Sequence, residues 1–204
     1  MKRYAVFIEP TGPLRQAIVS LKEKVERQLP GQAYGFHPPH CTLLVGQYES
    51  PDEWRKDLTI AISKTTPFEI QTDGFQFFYD DVLAGGGHTF TFKAKPTAEL
   101  FALQKKAADV LKEWRTTNST GKRVALMDRE PFRSSQAKFG FPFVGQHWIP
   151  HFSIASLKVA KDSPVLGELS SGDARFSFGL DRVSVWEIEG DRHAKMFELP
   201  FAGG

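Results

Sequence analysis

Apolar and polar residues alternate from Arg3 to Glu9, the period of two that a half-covered β-strand requires. Pro10-Thr11-Gly12-Pro13 breaks the alternation and opens a helix, with Thr11 placed as its N-cap. Leu14, Ile18, Leu21, Val25 and Leu29 then recur at spacings of four and three, one apolar stripe that stops at Pro30-Gly31. His40 to Val45 reads as a strand with Cys41, Leu43 and Val45 opposite His40 and Thr42, and becomes apolar on both faces after Thr42. Asp52 to Ser63 is a second helix. Phe68 to Gln71 and Phe75 to Tyr79 read as short strands on either side of a turn at Asp73-Gly74, and Gly85-Gly86-Gly87 leads into another alternating strand, His88 to Phe92.

From His88 the pattern starts again. The strand from His88 to Lys95, the Pro96-Thr97 break and a helix carrying Leu100, Leu103, Ala107, Val110 and Trp114 match the opening of the chain at an offset of 86 residues. Phe68, Ile70, Asp73, Phe75 and Phe77 align with Phe176, Phe178, Asp181, Val183 and Val185, and a last strand lies near Ala194 to Leu199. Strand, helix, strand, helix and hairpin, given twice, predict an α+β fold: two antiparallel sheets in two lobes related by a pseudo-twofold, helices outside and a cleft between. We read residues 1–204 as a single domain whose lobes are repeats of about 1–87 and 88–204, with an inserted loop at about 116–147.

One pair of stretches carries candidate chemistry. Pro39-His40-Cys41-Thr42-Leu43 and Pro150-His151-Phe152-Ser153-Ile154 share one pattern at an offset of 111 residues: Pro, His, any residue, hydroxyl, aliphatic. Alternation along a strand puts each imidazole on the same face as its hydroxyl. Two strands facing each other then supply an acid and a base, since imidazole titrates at about 6.5, and two hydroxyl donors for phosphate oxygens. The preceding Pro is kept in both copies, which argues against two unrelated structural histidines.

Composition narrows the partners. With one cysteine, Cys41, the 204-residue chain has neither an internal disulfide nor a cysteine metal cluster, and no run of 18 apolar residues occurs. We therefore expect a cytoplasmic protein without membrane contact. A net charge of +2 permits an anionic substrate without marking the chain as a nucleic-acid binder. Eighteen phenylalanines suit a sheet-rich core.

The doubled His-x-Thr/Ser motif resembles that of the 2H phosphoesterase superfamily, which includes the RNA 2′,3′-cyclic phosphodiesterases also called 2′-5′ RNA ligases. The resemblance implies a bilobal fold and metal-independent cleavage of cyclic phosphates or of 2′-5′ or 3′-5′ phosphodiesters. It implies His40 and His151 as catalytic residues, and Thr42 and Ser153 as phosphate-binding hydroxyls. We expect hydrolysis of 2′,3′-cyclic phosphate on RNA ends or small nucleotides, without a cofactor or an obligate protein partner, by a monomer. His151 is assigned as base and His40 as acid, although a pseudo-symmetric site allows either polarity. Two alternatives stand beside this reading: cleavage of linear oligonucleotides, and a module that binds nucleotides in the same cleft without turnover.

Other residues are secondary candidates. Phe36, Tyr48 and Trp148 flank the motifs and could stack a base, or belong to the core. The insert holds Lys122, Arg123, Arg129, Arg133 and Lys138 followed by Phe139, Phe141 and Phe143, a set suited either to a phosphate backbone and a base or to a surface excursion plugged into the core. Arg133, Lys138 and Phe143 are the substrate-binding candidates among them. Zinc between His37, His40, His147 and His151 is disfavoured, because residues three apart in an extended Pro-rich segment point to opposite sides. Cys41 reads as core, and His88 and His193, which lack a hydroxyl partner, receive no role.

Overall fold

The structure, a computed structural model, describes residues 2–116, 125–190 and 192–203. The alternating segments become strands β1 (Arg3–Ile8), β2 (Cys41–Gly46), β3 (Phe68–Asp81), β4 (Gly87–Ala94), β5 (His151–Leu157), β6 (Ser177–Leu180), β7 (Arg182–Glu189) and β8 (Arg192–Pro200). The helices are α1 (Gly12–Gln28), α2 (Pro51–Ile62), α3 (Ala98–Leu111), α4 (Phe132–Phe139) and α5 (Pro164–Leu169). The two helix starts differ. Thr97 accepts a bond from the Leu100 amide at 3.3 Å and caps α3, whereas Thr11 occupies the N-cap of α1 without a side-chain bond. Pro13, in the first turn, presets the helical backbone there instead.

The strands form two four-stranded antiparallel sheets, ordered β2-β1-β7-β8 and β5-β4-β3-β6. The fold is α+β, as the alternating pattern implies. The sheets do not coincide with the two halves of the sequence. The chain leaves the first sheet after α2, builds the whole second sheet over residues 68–180, and returns through Asp181 to add β7 and β8 to the first. The first half of the repeat therefore lends β3 to the second sheet, and the second half lends the hairpin β7–β8 to the first. Local periodicity is blind to this exchange, because it reports which face of a strand is buried and not which strand lies beside it.

Two further expectations change. Asp73-Gly74 is not a turn between short strands: β3 is continuous over fourteen residues, and its ladder to β4 slips between Thr72 and Gly74. Gly74, at φ 155°, lets the strand bend where it passes from pairing with β6 to pairing with β4. The insert is not simply a loop either. It contains a 3₁₀ turn (Ala125–Asp128) and α4, whose Phe139 is buried together with Phe141. Lys122 and Arg123 lie outside the described residues.

One hydrophobic cluster runs through both sheets and the helices between them, with Trp54, Phe90, Phe92 and Phe152 wholly buried. A shared core and exchanged strands make the two sheets one cooperative unit. We expect the intact chain to unfold in urea in a single transition, and fragments 1–87 and 88–204, expressed separately, to show none by circular dichroism. A cooperative transition in either fragment would contradict this architecture.

Candidate active site at the seam between the sheets

Each motif lies on the edge strand of its own sheet, β2 in one and β5 in the other, and these two edges lie against each other. Cys41 of one motif lies near the backbone of His151 in the other, which acts on its thiol. Burial alternates as the sequence spacing requires: Cys41, Leu43, Phe152 and Ile154 are buried, whereas His40, Thr42, His151 and Ser153 are partly open. Both motifs also contain a β-bulge at the same place. Val6 pairs with Leu44 and Phe7 with Thr42, leaving Leu43 unpaired; Phe90 pairs with Ala155 and Thr91 with Ser153, leaving Ile154 unpaired. The bulge falls on the aliphatic residue immediately after the hydroxyl, where it bends the strand and re-aims the side chains before it.

The shared proline has a physical role. In each motif the imidazole Nδ1 lies against the carbonyl two residues back, His40 to Pro38 at 2.6 Å and His151 to Ile149 at 2.7 Å. A carbonyl only accepts, so Nδ1 carries the proton and donates, and Nε2 is the nitrogen left to act. Pro39 and Pro150, between ring and carbonyl, restrict the backbone that makes this reach. The rings rest on aromatic neighbours: His40 stacks on the buried Phe7 with centroids 3.8 Å apart, and His151 lies 4.9 Å from Phe78.

The electrostatic surroundings of the two rings differ. Burial pulls the His40 pKa down to about 3, and His193, His37 and Lys22 add repulsion against a second proton. Burial also lowers His151, but the Asp81 carboxylate acts in the opposite direction there. Burial pushes the Cys41 thiol up to about 12, which makes it a core residue and not a nucleophile.

His193 is a site residue that sequence reasoning passed over. Its ring lies 4.2 Å from His37 and 6.0 Å from His40, centroid to centroid, on the same side of the first sheet. Only the pairing of β7 with β1 brings the last hairpin there, and no local signal announces that pairing. The expectation that His37 and His40 point apart is corrected by the same geometry, since both rings approach His193. Among the described residues no group of three or more His, Cys, Asp or Glu is arranged to hold a metal ion. His147 is held by the Pro142 carbonyl at 2.8 Å, and His88 is buried with its Nδ1 accepting the Asp80 amide at 3.2 Å.

The secondary candidates separate. Tyr48 and Trp148 are buried in the core, Trp148 edge-on to Phe101, so neither offers a face to a base. Phe143 is half-buried against Phe132 and Phe141. Arg133 closes on Glu130 at 2.7 Å, and Lys138 lies over Phe139, so both are engaged within the insert. Phe36, in contrast, is 78% exposed on the loop that leads into His40.

Two edge strands, each presenting a fixed imidazole and a hydroxyl at a common seam, are the arrangement of the two-histidine phosphoesterases. Residues 10–192 match the 2′-5′ RNA ligase superfamily, and the chain belongs to it. Solved structures agree in fold. A Thermus thermophilus protein, TT0787, superposes with a TM-score of 0.60 at 16% identity, covering 97% of each chain. Escherichia coli LigT in its apo form gives 0.57 at 13% identity over 98% of each chain, and its complex with 3′-AMP gives 0.55 at 12% over 98% of this chain and 97% of that one. No curated protein matches the sequence. Among the described residues no helix is long and apolar enough to cross a membrane.

For the free protein we expect an NMR titration to place the His40 ring well below the ordinary imidazole value of about 6.5, and His193→Ala to raise it. A His40 that titrates at or above the ordinary value contradicts the crowding described.

Proposed function

We propose that the protein is a metal-independent phosphodiesterase that opens 2′,3′-cyclic phosphates on RNA ends or small nucleotides by two-histidine acid–base catalysis. The observation that carries this reading is the matched pair of Nδ1-anchored imidazoles on abutting strands, each with a hydroxyl on its own face. Membership of the superfamily and the binding of 3′-AMP by Escherichia coli LigT, a nucleotide with its phosphate on the ribose, support it.

The electrostatics favour a polarity opposite to the one read from the sequence. A base must be unprotonated before the reaction; burial lowers both rings, and at His40 the neighbouring His193, His37 and Lys22 lower it further. His151, with a carboxylate in its field, is the better proton donor. His40 Nε2 takes a proton from water as the water oxygen bonds to phosphorus. His151 Nε2 gives its proton to the ribose oxygen as the P–O bond to that oxygen breaks. The product is a ribose phosphomonoester, with His40 protonated and His151 neutral, and exchange with solvent restores both. Thr42 and Ser153 donate to the non-bridging oxygens, where charge accumulates.

With a 2′,3′-cyclic mononucleotide in excess chelator, we expect His40→Ala and His151→Ala each to lower kcat by about 10² to 10⁴. Thr42→Val and Ser153→Ala should each cost about 10- to 100-fold, less than a dedicated oxyanion donor, because each is one of two hydroxyls. Tight nucleotide binding with no turnover by the unmodified protein would favour a binding module, and a requirement for divalent metal would overturn the mechanism.

A further inference from the structure

Two buried polar side chains stand outside the proposed chemistry yet touch both motifs. Gln104, on α3, is fully buried: its Nε2 donates to the Leu43 carbonyl at 3.1 Å and to the Phe143 carbonyl at 2.7 Å, and its Oε1 accepts the Gly145 amide at 3.0 Å. Lys22, on α1, is 8% exposed, and its Nζ donates to the Ile154 carbonyl at 2.8 Å and the Tyr34 carbonyl at 2.6 Å. Leu43 and Ile154 are the two bulged residues, one in each motif. Phe143 and Gly145 precede His151, and Tyr34 precedes His40.

The symmetry is therefore crossed. Gln104 fastens the bulge of the first motif to the loop that delivers the second histidine. Lys22 fastens the bulge of the second motif to the loop that delivers the first, at Tyr34, a non-glycine residue held at φ 67°. Each helix crosses the seam to do so, α3 lying against β2 and α1 against β5. A bulge leaves a carbonyl outside the ladder, and a buried carbonyl needs a donor. That need alone would be met by one bond to each bulge. The second bond from each side chain ties that bulge to the opposite motif's approach loop.

We propose that Lys22 and Gln104 are positioning residues which cross-brace the two motifs, so that neither histidine can move without the other. In its catalytic part this rests on the phosphodiesterase reading above. The braces differ in charge, since one is an ammonium and the other an amide. Lys22 thereby adds a cation on the His40 side of a nearly symmetric site, where the other titratable neighbours of His40 are His37 and His193.

The test uses the full-length protein, first unmodified and then as Lys22→Met, Lys22→Gln and Gln104→Met, with ring NMR of His40 and His151 beside turnover of a 2′,3′-cyclic mononucleotide. Each Met variant should shift the ring resonances of both histidines and lower kcat by about 10²-fold with KM changed only a few-fold, as small misplacements of reacting groups do. Lys22→Gln keeps donors without the charge: it should retain more kcat than Lys22→Met while raising the His40 titration as Lys22→Met does. Gln104→Met should leave that titration in place. If a Met variant disturbs only the histidine of the strand whose bulge it served, the cross-brace is refuted. Loss of thermal stability with kcat per folded molecule unchanged refutes the positioning role. Where the unmodified protein shows no turnover, the phosphodiesterase reading fails by itself, and the paired ring shifts still decide the brace.

Discussion

The meeting of β2 and β5 is the contact on which the rest of the structure depends. Both are edge strands, and an exposed edge presents unpaired backbone groups that invite foreign pairing. Here the two edges lie against each other without joining into one sheet, and bulges at Leu43 and Ile154 interrupt their ladders. An unsatisfied buried carbonyl costs roughly 1 to 3 kcal/mol, so each bulge is tolerated because a buried side chain reaches it.

Geometry near the seam is nearly symmetric and charge is not. Both imidazoles use the same nitrogen, the same acceptor type and the same spacing to it. Around them stand His37, His193 and Lys22 on one side and Asp81 on the other. A duplicated scaffold thus places two like groups in unlike electrostatic surroundings. None of those four residues sits at an equivalent position in both motifs, which is why the motif by itself leaves the polarity open.

How much of this was legible in the sequence follows from the range of each interaction. Alternation within a strand is local, so the faces of His40, Thr42, His151 and Ser153 could be read directly, as could the stripe of α1 and the repeat of the strand–helix unit. The reason for Pro39 and Pro150 could not, because the carbonyls they help present are visible only in three dimensions. Tyr48 and Trp148 adjoin the motifs in sequence yet point into the core, and aromatic character alone does not separate a stacking platform from a buried plug. His193, Lys22 and Gln104 reach the site by strand pairing or helix crossing over long separations, and a pattern read along the chain carries no register for those.

The way the second sheet is threaded has a consequence for the molecule's modular history. It is built from one uninterrupted stretch, and its first and last strands pair with Phe68 opposite Leu180, so that stretch enters and leaves at neighbouring points. The terminal tail is stitched over the same corner: Phe201 donates to the Asp181 carbonyl, Ala202 to that of Thr65, and the Phe201 ring stacks on Phe68. A segment with adjoining ends has the topology of a cassette seated inside a host, and such a cassette tolerates new chain ends far better than a cut midway along its hairpins. The boundary suggested by internal likeness and the boundary at which the polypeptide can be reconnected are thus different places in this chain.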